Sequence, residues 1–153
     1  MNFLENKVKL LFVLVLPIFL FAQMEFSEPK PSFEEPRLWL IKLNTADIHV
    51  VNHTLGGIYN VLKEYPSDTL KIAVVAYGSG MRVLKKDYDK NTLVRIQSLM
   101  EYEVEFVACK NTMATMKWTE KDFIEDLTYV QAGIAEMIER KFAHWIEVTP
   151  YDE

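Results

Sequence analysis

The sequence is short of cysteine, glycine and positive charge. Its 153 residues hold one cysteine, Cys109, and five glycines, and Lys and Arg number 17 against 22 Asp and Glu. A single cysteine excludes an internal disulfide and a dithiol Cys-x-x-Cys oxidoreductase, leaving an inert buried thiol, an intermolecular disulfide or a reactive thiol. A formal charge of −5 provides no electrostatic footprint for nucleic acid or for an anionic membrane surface. His49 and His53 stand four apart on one expected helix, the spacing of two metal ligands, but no third ligand is evidently placed beside them, so no metal or other cofactor is expected. Internal repeats and low-complexity segments are absent.

What is present begins with an address. Lys7 and Lys9 precede an uncharged run of 13 residues, Leu10 to Ala22. A spanning helix needs roughly 20 apolar residues, and this pattern is that of a signal peptide, cleaved after Ala22. Removal takes away Lys7, Lys9 and Glu5 and moves the charge from −5 to −6. The mature chain is then expected in the periplasm, free of the membrane. Residues 23–37 carry Pro29, Pro31 and Pro36 among acidic side chains and read as an extended linker. One domain follows, residues 38–153, long enough for a single core.

Within it, apolar runs alternate with helical patterns. "LWLIKL" (38–43), "LKIAVVAYG" (70–78), "VEFVAC" (104–109), "LTYV" (127–130) and "HWIEVTP" (144–150) read as strands. Between them Val51, Leu55, Ile58 and Leu62 mark a helix capped by Asn44 or Thr45, and Leu93, Ile96 and Met100 mark a second. "NTMATMKW" opens a third, and the last carries Ile134, Met137 and Ile138. Continuously apolar strands separated by helices are buried on both faces, which predicts an α/β fold: a three-layer α/β/α sandwich on a mostly parallel sheet of about five strands.

In such a sheet ligands bind at the carboxyl ends of the strands. The loop with Gly78, Ser79 and Gly80 falls at one such end, where glycines let backbone amides approach an anion, although the same pair also serves a tight strand-to-helix turn. It lacks the third glycine of a dinucleotide fingerprint and the Gly-Lys-Ser/Thr of a phosphate loop. Cys109 falls at another end, just before Asn111 and Thr112, either of which can cap a helix. A helix N-terminus stabilises a thiolate, and Lys110 acts in the same direction. Met113, Met116 and Trp118 crowd the following helix and suit either the core or a subunit surface.

The order "KIAVVAYGSGMRVL", "VEFVACKNTM", "YVQAGIAEMIERKFAHWIEVTP" resembles the DsrE/DsrF-like family of small sulfur-relay proteins. The resemblance rests on the Gly-x-Gly after the second strand, the Cys-x-Asn-Thr after the third and the Gly-Ile-Ala-Glu that starts the last helix. It implies a parallel α/β sandwich, a homo-oligomer, and sulfur carried as a persulfide on Cys109 between donor and acceptor proteins or small sulfur species. Gly78, Ser79, Gly80, Asn111 and Thr112 are the implied binding residues. Tyr77 departs from the family, which often has His there. The competing reading is a non-catalytic oligomeric module whose Cys109 is buried and inert.

Overall fold

The computed structural model describes residues 24–151, and the expected signal segment, 1–22, lies outside them. The first strand, β1 (Arg37–Leu43), begins the domain one residue before the sequence pattern suggested. It is followed by α1 (Ile48–Glu64), β2 (Leu70–Ala76), a 3₁₀ turn (Gly78–Leu84) and α2 (Lys90–Glu101). Next come β3 (Glu105–Cys109), α3 (Lys110–Met116), a second 3₁₀ turn (Glu120–Asp122), β4 (Thr128–Val130), α4 (Gly133–Phe142) and β5 (Ile146–Glu147). Every strand pair is parallel, in the order β4-β3-β2-β1-β5.

That order dictates the layers. From β1 to β4 the chain steps steadily in one direction, so its connections stack on one face of the sheet, where Val51, Leu55 and Ile58 of α1 meet Ile96 and Leu99 of α2, Met113 of α3 and Phe123. The return from β4 to β5, beside β1, runs the opposite way and therefore crosses the other face. On that side α4 buries Met137 over Leu40, Ala73, Val75 and Val107. Among the described residues the three-layer sandwich is thus unequal, with α4 alone on its second face.

Several local expectations shift. The cap of α1 is Asp47, whose carboxylate accepts from the amides of His49 at 2.9 Å and Val50 at 3.1 Å. Asn44 and Thr45 instead serve the turn before it: the Thr45 hydroxyl accepts from the Asp47 amide, and the Asn44 carbonyl accepts from the Ser79 hydroxyl. β2 ends at Ala76 rather than Gly78, because the 3₁₀ turn claims the glycine loop. The last strand shrinks to two residues after His144 adopts a φ of 66° at the end of α4. Residues 24–36 form neither helix nor strand but are no free tether: the Arg37 guanidinium donates to the carbonyls of Ser27 and Pro29, and Phe26 packs on Tyr65. Among the described residues, no helix is long and apolar enough to cross a membrane.

Candidate functional site

Neighbouring strands whose outgoing connections leave toward opposite faces open a crevice between their carboxyl ends. Here those strands are β3, which feeds α3 on the larger face, and β4, which feeds α4 on the other. Cys109 is the last residue of β3 and pairs with Val130, the last of β4. The cysteine therefore stands at the switch point of the sheet.

The start of α3 is earlier than the sequence suggested. Neither Asn111 nor Thr112 is its cap; Cys109 itself occupies that position, and Lys110 opens the helix. The Cys109 amide donates to the Met81 thioether at 3.2 Å. The sulfur is reached by a second helix as well, since the Gly133 amide at the start of α4 donates to Cys109 Sγ at 3.3 Å. Gly133 permits that approach: a Cβ there would lie 3.2 Å from the Tyr77 Cβ and 3.4 Å from the Cys109 Cβ.

Cys109 is only 5% exposed. Burial pushes its thiol pKa up, but the Gly133 amide, the Thr112 hydroxyl and the amides of Thr112 and Asn111 more than offset this, and the net shift is downward from the ordinary value. Lys110 takes no part: its ammonium pairs with Glu120 at 3.4 Å and lies over the Tyr129 ring. The lowered value is thus a product of hydrogen-bond donors, three backbone amides and the Thr112 hydroxyl, and not of a neighbouring charge.

Above the sulfur, Gln131 and Asn111 clasp one another. The Asn111 amide donates to the Gln131 carbonyl at 3.0 Å, and the Gln131 side-chain amide donates to Asn111 Oδ1 at 2.6 Å. The thiol itself faces the same Gln131 carbonyl at 3.9 Å.

Beside this centre lies a cleft of about 400 Å³ lined by Gly78, Ser79, Arg82, Asn111, Thr112 and Thr115, with Met116 and Trp118 as its apolar wall. The Gly78 amide donates to the Thr112 hydroxyl at 3.0 Å, which ties the glycine loop to α3. Four of the residues singled out from the sequence, Gly78, Ser79, Asn111 and Thr112, therefore meet in one place. Gly80 does not line the cleft. It is buried, and a Cβ on it would fall 2.0 Å from the Leu43 carbonyl oxygen, so its glycine lets the 3₁₀ turn press against the end of β1.

The apolar cluster after Cys109 also divides. Met113 is core, Trp118 packs edge-on to Phe123 with ring centroids 6.0 Å apart, and Met116 is left exposed. The larger exposed apolar stripe is on α4, where Ile134, Ile138 and Phe142, four residues apart on one face, are 58%, 49% and 80% exposed. His53 stacks on Tyr151 at 5.1 Å, and among the described residues no group of three or more His, Cys, Asp or Glu is placed to hold a metal.

Gln131, Gly133 and Arg82 were not singled out by residue chemistry. Gly133 carries a signal, a glycine opening an amphipathic helix. Gln131 and Arg82 carry none, because their roles depend on which loops the topology brings together.

No curated protein matches the chain. Among solved structures, that of a protein of unknown function, MTH1491 from Methanobacterium thermoautotrophicum, superposes with a TM-score of 0.68 at 23% identity, covering 73% of this chain and 97% of the other. The likeness is one of fold. The family model described as DsrE/DsrF-like matches residues 39–143, a span that runs from within β1 through the end of α4 and includes the switch-point cysteine but not β5, and the chain belongs to the DsrE/DsrF-like family.

Proposed function

We propose that the protein is a sulfur carrier in which Cys109 accepts a sulfane sulfur as a persulfide and passes it to an acceptor thiol. The observation that supports this is the polarisation of a buried sulfur: an inert core cysteine sits among apolar groups that raise its pKa, whereas Sγ here receives the Gly133 amide at 3.3 Å and its pKa is lowered. The same donors favour the thiolate as nucleophile during uptake and as leaving group during release. The lining of the adjacent cleft, with Gly78, Ser79, Asn111 and Thr112, suits a small sulfur species or the exposed end of a donor protein. The 5% exposure of Cys109 favours the second reading, a non-catalytic module with a sequestered thiol. Protein recovered from its own compartment without reductant and weighed intact separates the two. The carrier predicts a fraction heavier by sulfur that dithiothreitol removes; a uniformly unmodified chain favours the module.

The carrier acts outside the cytoplasm on this reading, by virtue of the charged start and apolar run of residues 1–22. Mature protein is expected to begin near Gln23 on N-terminal sequencing, and recovery from the cytoplasm with Met1 retained contradicts export.

It assembles as a homo-oligomer through α4 rather than through Trp118, whose ring is engaged with Phe123. Ile134, Ile138 and Phe142 form a continuous apolar stripe on the only helix of its layer among the described residues, and two copies of the stripe packed antiparallel about Ile138 would set Ile134 against the partner copy's Phe142. Light scattering is expected to give a multimer that Ile138→Glu reduces in mass with its circular dichroism intact. A monomer across a wide range of concentration rejects the assembly.

A further inference from the structure

We propose that the Gln131–Asn111 clasp is the gate of Cys109, closed over the free thiol and displaced when sulfur is loaded; the inference rests on the carrier reading.

Among the residues around the sulfur, Gly133 is buried and Thr112 half-buried, while Gln131 and Asn111 are exposed. The way to solvent therefore runs beneath these two side chains. They are joined twice, by the backbone bond at 3.0 Å and the side-chain bond at 2.6 Å. Gln131 lies between β4 and α4 in a connection of two residues, so opening it moves the loop without unpairing the sheet.

Loading on the side of the Gln131 carbonyl requires that movement. The Cys109 thiolate attacks the outer sulfur of a hydropersulfide, R–S–SH. The new S–S bond forms as the bond between that sulfur and R–S breaks, the electron pair leaves with R–S⁻, and the proton stays on the transferred sulfur. No other oxidant or reductant enters. The added atom sits about 2.05 Å beyond Sγ, and one placed toward the Gln131 carbonyl, which stands 3.9 Å from Sγ in the closed state, would collide with its oxygen. The loaded protein consequently presents a changed surface at residues 111 and 131, which distinguishes it from the empty one to an acceptor.

The test is the rate of iodoacetamide alkylation of native protein, measured at a pH where the rate has reached its plateau, so that changes in thiol ionisation do not contribute. Deleting the side-chain bond removes a net stabilisation that corresponds to about a threefold to tenfold change in the open population. Gln131→Ala and Asn111→Ala are each expected to react faster by that factor. The double variant is expected to react no faster than either, because all three delete one bond. Ile96→Val, which loosens the core under α2 and touches neither partner of the clasp bond, is expected to react at the wild-type rate. Wild-type rates in both clasp variants, or equal acceleration in Ile96→Val, would overturn the gate. Faster alkylation of Gln131→Ala with no sulfur taken up from polysulfide would leave the gate standing and remove the carrier.

Discussion

Gly80→Ala is expected to destabilise the domain by roughly 3 kcal/mol, among the larger effects of a single methyl group. The added Cβ meets backbone rather than a yielding side chain: the Leu43 oxygen at 2.0 Å, the Leu43 carbonyl carbon at 2.6 Å and the Asn44 nitrogen at 2.9 Å. Relief requires the 3₁₀ turn to lift from the end of β1, and that turn carries Met81, Val83 and Leu84, all fully buried. Gly78→Ala supplies the comparison two residues away. Nothing lies within 4 Å of its Cβ, but its φ of +55° belongs to the left-handed region, so the cost is the backbone strain alone, about 1–2 kcal/mol. Urea unfolding of both variants at unchanged slope measures the difference. Equal, small shifts would mean that the glycine loop does not press on β1 as described.

Cys109→Ser is expected to remove sulfur loading altogether while the fold survives. The substitution is nearly isosteric, and the hydroxyl retains a partner in the Gly133 amide. The loss should also appear in the dependence of stability on pH. The thiol pKa is lowered in the folded protein, by amides and a hydroxyl acting against burial. A group whose folded pKa is depressed contributes stability that is fully present above its unfolded pKa, about 8.5 for a free cysteine, and lost as pH falls through the folded value. The urea midpoint of the wild type relative to Cys109→Ser should therefore rise with pH across the window that begins at the folded pKa and ends near the unfolded one. A difference independent of pH would mean that the thiol is not polarised.

Much of the architecture was legible because the strands announce themselves. "KIAVVA" and "EFVAC" are apolar without alternation, which only a sheet covered on both faces explains. Single-residue features were less so. Asn44, Thr45 and Asp47 are all competent caps, and the choice of Asp47 follows from where β1 releases the chain and from Ser79 engaging the Asn44 carbonyl. Ile134 and Ile138 fit the helical period of α4 as well as Met137 does, but with no other described helix on its layer α4 buries only the stripe that touches the sheet, and Met137 holds that place.

The site was half legible for a similar reason. Cys109, Asn111 and Thr112 are close in sequence, and a strand delivering a thiol into a helix start is a local pattern. The second helix terminus is not local. Gly133 lies 24 residues away, and it reaches the sulfur because β4 pairs with β3 and its exit reverses to the other face of the sheet. Lys110, which adjacency suggested as a partner of the thiolate, turns instead to Glu120. Adjacent charge proved a poorer guide than the strand order.

The central claim, that the switch-point thiol carries sulfur, is tested most directly by incubating native wild type and Cys109→Ser with polysulfide and recording intact mass before and after dithiothreitol. The account predicts added sulfur on the wild type, reversed by the reductant, and none on Cys109→Ser. An unmodified wild type whose Cys109 nevertheless alkylates in the native state would contradict it.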